Sequence, residues 1–298
     1  MTSSRFRDDH PAIALACGAV FLSAAAPWVR LADVGATVAA FYRMVVGAAV
    51  LFALCSATGR RLWSGGRYTL RLLPVAALFA LDLSIWHRSI ERVGPGLATI
   101  LANMQVFAMA GAGIVLYGER PEWRLGVGLG LAVPGLWLLV DVDVAPSSEG
   151  YAAGIALGLG AAVAYTAYLL TLRRAQGVDD SLSPHANLAW MSAWCALLLG
   201  GAAWLEGAAF GIPDVESGLA LGAYGLFTQV FAWILITGAM PRLPASLVGL
   251  LLLLQPALAM VWDVLFFSRP PRVADLAGGA LVLAGLYLGS TAETKPDV

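Results

Sequence analysis

Four ionisable side chains sit inside stretches that are otherwise apolar: Arg43, Asp82, His87 and Asp263. A charge in such a stretch is costly, which makes each one a candidate for chemistry. An aspartate can take up a proton, hold an amine or pair with an arginine, and Asp82 is open to all three, with Arg43 as the pairing partner. Trp86 follows Asp82 by one helical turn and Ser89 by two, so the three share a face. His87 lies about 140° round the helix from Asp82. It reads either as a second proton-coupling group or as a histidine at the membrane edge beside Arg88. Arg43 can grip a substrate carboxylate through two parallel hydrogen bonds, or it can tie helices together.

Amides and rings form a second set. Asn103, Gln105, Gln229 and Gln255 fall in mid-stretch, where an amide must bond either to a neighbouring helix or to a polar solute. Tyr165 and Tyr168 share a face at i, i+3, as do Gln229 and Trp233 at i, i+4. Rings beside amides suit a pocket for an apolar body with a polar head. Trp63, Trp123, Trp204 and Trp262 fall near stretch ends and read as interfacial residues. Trp190 and Trp194 read as lipid-facing.

The elements that must position these groups follow from composition. Of 298 residues, 59% are hydrophobic and 12% charged, about half the roughly 25% charge of a soluble domain. Mean hydropathy is +0.78. No single core hides that much apolar surface, which excludes a soluble globular chain, and the same numbers exclude disorder. A net charge of −1 gives no footprint for nucleic acid. Cys17, Cys55 and Cys195 lack ligand or disulfide spacing and read as inert apolar residues. There is no metal triad and no phosphate loop, and no metal or cofactor is expected.

A helical span needs about 20 mostly apolar residues. Ten stretches qualify: Ala12–Val29, Ala36–Ser56, Leu72–Ile90, Gly94–Leu116, Leu125–Val140, Tyr151–Leu172, His185–Trp204, Ser217–Met240, Pro244–Phe266 and Ala274–Ser290. The fifth and tenth are short. The first resembles a signal peptide, but Pro27 follows Ala24-Ala25-Ala26 at once and the second half has its own counterpart, so it is read as a retained span. The loops on the N-terminal side hold twelve of the 18 basic residues, among them Arg60, Arg61, Arg120, Arg173 and Arg242. The bias predicts both termini in the cytoplasm. The expected architecture is all-α and integral to the membrane.

The chain also repeats itself. Shifted by 150 residues, Gly94–Leu138 overlies Pro244–Leu288 without a gap, bringing Gln105 onto Gln255 and Gly128 and Gly135 onto Gly278 and Gly285. The expected units are residues 1–140 and 151–298, joined by an acidic linker at 141–150. Each holds five spans, an odd number, so the halves insert in opposite senses, as in many transporters whose site lies between inverted repeats. Pro27, Pro74, Pro134 and Pro256 fall in or at span ends, where proline frees a backbone bond and can serve gating.

Gly118-Glu119-Arg120-Pro121 followed by a Leu/Gly-rich run to Pro134-Gly135 resembles the EamA repeat of ten-helix members of the drug/metabolite transporter superfamily. Phe41-Tyr42-Arg43 resembles its aromatic-x-Arg signature, and Pro244 to Leu247 with Gln255-Pro256 resembles the start of its ninth helix. The resemblance covers nearly the whole chain and implies ten helices around a central cavity lined mainly by helices 1, 3, 4, 6, 8 and 9. It also points to Pro256 and to the Pro95-Gly96 start of helix 4 as the gating bends. Because the family carries an arginine at the position of Arg43 whatever its substrate, the resemblance favours a structural Arg43. Three departures stand out. Ser268-Arg269 replaces the usual Gly-Glu of the second repeat, Val106 stands where helix 4 often has proline, and Ala12–Val29 lacks the coupling glutamate of the small multidrug members. Glu119 and Arg120 themselves read as ordinary helix-end residues.

The expected function is a secondary transporter of the inner membrane, a monomer, exporting small metabolites and amino acids in particular. Its candidate cavity is Asp82, Trp86, Asn103, Gln105, Tyr165, Tyr168, Gln229, Trp233 and Gln255, with Asp82 and His87 for proton coupling. The alternatives are export of drugs or of nucleotide or sulfonium metabolites, and a membrane protein that transports nothing. An enzyme is not expected, because no nucleophile or protease constellation is present.

Overall fold

Uninterrupted apolar sequence closes its own backbone hydrogen bonds only as helix, the one open-ended element that bilayer hydrocarbon tolerates. The computed structural model describes residues 10–120, 122–139, 150–177, 182–267, 270 and 272–290, and all their regular elements are helical. Among the described residues ten apolar helices run in chain order: α1 Pro11–Leu31, α2 Ala36–Ala57, α3 Gly66–Gly94, α4 Gly96–Tyr117, α5 Trp123–Leu139, α6 Tyr151–Gln176, α7 Pro184–Leu205, α8 Val215–Arg242, α9 Ala245–Phe266 and α10 Val273–Ser290. All but α5, with 17 residues, are long enough to cross a bilayer by length and hydropathy. The linker at 141–149 lies outside the described residues.

Several spans are broken, each for a local reason. In α1 the helix interrupts at Ala24, three residues before Pro27, whose missing N–H leaves the Ser23 carbonyl without its helical donor. In α9 the break falls at Leu253, just before Gln255-Pro256. In α4 it falls at Met104, just before Gln105, although no proline is there. There Asn103 turns its Nδ2 back onto the Thr99 carbonyl at 2.8 Å and competes with the ladder, while the Met104 N–H shortens to the Leu101 carbonyl. The bend expected at Pro256 therefore has a repeat-related twin without proline. Between α3 and α4 the chain reverses at Gly94, whose φ of 80° suits glycine.

The two halves pack about a pseudo-two-fold relation. α3 packs on α6 as α8 packs on α1, α2 pairs with α7, α4 with α9 and α5 with α10. The α5–α10 pair shows the relation in its glycines. A Cβ at Gly135 would stand 2.7 Å from the Gly278 carbonyl oxygen, and one at Gly128 would stand 2.6 Å from that of Gly285. Shifting by 150 residues turns the first pair into the second with its members exchanged. The halves are not separate globules, since one continuous core includes Leu15, Met44 and Val106 of the first half with Trp233, Ile236 and Leu250 of the second.

Two tryptophans differ from expectation. Trp190 and Trp194 face protein, donating from Nε1 to the carbonyls of Leu62 at 2.8 Å and Thr69 at 3.0 Å. The indole N–H needs an acceptor, and the chain just before α3 and its first turn supply one each.

Candidate functional site

Three helices turn one face each to the middle of the bundle. Phe79 and Asp82 share a face of α3, Tyr165 and Tyr168 of α6, Gln229 and Trp233 of α8. The rings meet. Phe79 stacks on Tyr168 with centroids 4.5 Å apart, and Trp233 sets an edge to Tyr168 at 5.2 Å. Tyr165 lies 5.8 Å from Tyr168. Tyr168 and Trp233 are fully buried, yet neither the Tyr168 hydroxyl nor Trp233 Nε1 has a hydrogen-bond partner.

Arg43 enters this cluster from α2. Its Nε donates to Gln229 Oε1 at 3.2 Å, one Nη to the Thr228 carbonyl at 3.3 Å and the other to the Tyr224 hydroxyl at 3.5 Å. The guanidinium also lies over the rings of Phe79 and Tyr224, 5.6 and 5.3 Å from their centroids. All these α8 partners fall on or beside a π-helical stretch, Gly225–Phe231, whose wider turn presents the Thr228 carbonyl sideways. Gly225 and Gly47 make the approach of α2 and α8 feasible. A Cβ on Gly225 would meet Val46 at 2.5 Å, and one on Gly47 would meet the Cβ of Gln229 at 2.8 Å. Gln229 passes the chain of bonds on, donating from Nε2 to Ser192 at 2.9 Å.

Asp82 is 8% exposed and makes no ion pair or hydrogen bond among the described residues. The direct Asp82–Arg43 bridge, one of the three options open from sequence, is not formed, because Arg43 spends its donors on α8.

The family comparison bears on this geometry. The model of the EamA-like transporter family matches residues 10–141 and again 152–291. The chain belongs to the EamA-like transporter family. It is thus a multi-pass membrane transporter of the drug/metabolite transporter superfamily, each match covering one five-helix half. A solved chain described as "Crystal structure of protein" superposes with a TM-score of 0.80 at 18% identity, covering 95% of this chain and 96% of that one, a likeness of fold. The sequence matches none of the curated proteins.

Around the aromatic centre of this EamA-like transporter the other expected residues divide. Trp86, Asn103, Tyr165 and Gln255 are half-buried, whereas Gln105, Gln229, Tyr168 and Trp233 are buried. Gln105 crosses between the halves, donating from Nε2 to the Gly249 carbonyl at 3.3 Å, and its Oε1 has no partner. Trp86 packs toward Val93 and Leu97 and lies 5.3 Å from the His87 ring, whose buried Nδ1 is unpartnered. His87 is thus separated from the aromatic centre. Pro95 follows Gly94 at the α3–α4 reversal, Pro256 sits in the first turn after the α9 break, and the side chain of Asp263 lies outside the described atoms.

Sequence reasoning missed three contributors, Phe79, Ser192 and Thr228, and placed Tyr224 among the deep aromatics without assigning it to the site. Phe79 had a signal, since it precedes Asp82 by three residues on one face. Ser192 and Thr228 had none, because neither the π turn nor the α7 contact with Gln229 is written in any local pattern. A cavity of about 200 Å³ lies elsewhere, between the Arg71 end of α3 and the Arg174 end of α6, with Tyr68 and Thr171 also in its wall. Among the described residues no three His, Cys, Asp or Glu side chains cluster as a metal site would require.

Proposed function

We propose that this chain is a secondary transporter exporting small metabolites, amino acids in particular, across the cytoplasmic membrane by alternating access of its two halves. The arginine-rich loops and both termini face the cytoplasm, and one chain is the working unit. The observation that carries the substrate reading is Asp82, a buried carboxylate without an ion-pair partner among the described residues, on the α3 face that carries Phe79, whose ring stacks on Tyr168. A carboxylate among aromatic faces suits an ammonium group, which gains both a charge-assisted hydrogen bond and a cation–π contact. Arg43 is already bonded on every nitrogen, so it orders α2 against α8 in preference to gripping a substrate carboxylate. The half-buried amides Asn103 and Gln255 are the groups left to meet the polar end of an amino acid.

The test is counterflow in proteoliposomes loaded with pooled unlabelled amino acids, following labelled ones singly. Uptake above empty liposomes for a subset, lost in Asp82→Asn, is the expected result. Uptake that survives Asp82→Asn at every pH would remove Asp82 from both binding and proton coupling. The same unpaired carboxylate favours a second reading, export of organic cations such as sulfonium metabolites or cationic drugs. Uptake of those cations with no amino-acid uptake would select it.

A further inference from the structure

The carboxylate of Glu119, just past the end of α4, reaches across to the other half and caps α9. Its Oε1 accepts from the Ala245 N–H at 2.5 Å, and its Oε2 accepts from the Ser246 N–H at 3.2 Å and from Ser246 Oγ at 2.7 Å. The first amides of a helix have no partner of their own, and the N-terminal end of the helix dipole favours an anion. The chain around Glu119 is shaped for this reach. Gly118 is left-handed at φ 65°, which closes α4 and lets the Glu119 N–H return to the Gly113 carbonyl at 3.0 Å. Gly113 lacks a side chain where a Cβ would run into the Glu119 carboxylate.

Behind this clasp the two helix segments stay joined as far as mid-span. Ala245–Leu252 is buried throughout, a Cβ at Gly249 would stand 2.7 Å from that of Met109, and Gln105 bonds to the Gly249 carbonyl. Helices α4 and α9 thus close the end of the bundle that carries Arg120 and Arg242. The repeat-related positions at the opposite end hold the wrong chemistry for a second clasp. Glu119 corresponds to Arg269, Ala245 to Pro95 and Ser246 to Gly96. Arginine has no acceptor, proline no N–H and glycine no hydroxyl. On the far side of the breaks, Asn103, Gln255 and Met260 are half-buried.

We infer that Glu119 is a positioning residue for transport, a one-sided clasp that holds the arginine-rich mouth shut and sets the resting transporter to face the other way. The inference rests on alternating access between the halves. Opening the arginine-rich mouth breaks three charge-assisted bonds, a set that the residue types at the repeat-related positions of the other mouth cannot make.

The test is thiol labelling with a membrane-impermeant maleimide, applied from each side of oriented vesicles to a Cys17→Ser background. Val248→Cys reports on the clasped mouth and Met260→Cys on the opposite one. With Glu119 present, Met260→Cys labels and Val248→Cys does not. Glu119→Ala is expected to raise Val248→Cys labelling about ten-fold and to lower Met260→Cys labelling, as loss of a charged bond set implies. Ser246→Ala, which removes only the Oγ bond, is expected to give a smaller shift in the same direction and covers the case in which Glu119→Ala fails to fold. Unchanged labelling in a folded Glu119→Ala, or in Ser246→Ala where the first does not fold, overturns the clasp. Labelling needs no substrate, so the two readings can fail separately. A labelling shift without amino-acid counterflow sinks the substrate and leaves the clasp. Counterflow without a labelling shift does the reverse.

Discussion

Arg43 Nε lies 3.2 Å from Gln229 Oε1, joining the second helix of one half to the third helix of the other through a buried charge-assisted hydrogen bond. Lysine cannot reproduce the guanidinium fork that serves Gln229, Thr228 and Tyr224 together. Arg43→Lys should therefore lower the thermal stability of the purified protein, at about 1.5–3 kcal/mol for each charged bond lost. Melting in detergent measures this. A variant that melts with the parent would show that the charge alone, without its fork, holds α2 to α8.

Glycine pairing between α5 and α10 makes a graded prediction. Gly135→Leu forces a side chain into the Gly278 backbone and should cost at least about 1–3 kcal/mol, the usual cost of overpacking. Gly130 is the control on the same helix, since a Cβ there meets nothing within 4 Å. Gly130→Ala should be neutral or stabilising by up to about 1 kcal/mol. Equal melting of the two variants would mean that the close approach does not set stability.

The Tyr168 hydroxyl is buried without a partner, which costs free energy in the substrate-free protein. Tyr168→Phe should melt no lower than the parent, whereas Tyr168→Ala should lose about 3–5 kcal/mol through the cavity it leaves. If the hydroxyl is kept to meet substrate, Tyr168→Phe should raise KM for counterflow with little change in maximal rate. An unchanged KM would make the ring alone the functional part.

Asp214 stands outside the membrane at the start of α8, where its Oδ1 accepts from the Ser217 N–H at 2.7 Å. That bond holds its carboxyl below the ordinary carboxylate value. A depressed folded value places the stabilisation above the unfolded carboxylate pKa, and it disappears as pH falls through the folded value. The melting difference between the parent and Asp214→Ala should therefore be full at neutral pH and shrink on acidification. A difference that grows on acidification would reverse the assignment.

Much of this architecture is legible in the residues. Ten apolar stretches, the offset of 150 and the paired glycines give the helices and their two-fold relation, because lipid leaves a hydrophobic chain few options. Asp82, Tyr165, Tyr168, Gln229 and Trp233 share faces at helical spacing, and the fold brings those faces together. What stayed hidden depends on distance in sequence. Glu119 looks like a helix-end residue until α9, 126 residues away, brings two amides and a hydroxyl to it. Arg43 looks free to pair with Asp82 until the π turn of α8 claims its donors. The α4 break had no proline to announce it.

Where α5 and α10 meet, backbone lies close against backbone at four glycines, with Ala132, Leu138, Leu139 and Leu281 packed beside the contact. Such a seam has little room to slide, so any larger side chain at these glycines must push the two helices, and with them the two halves, apart.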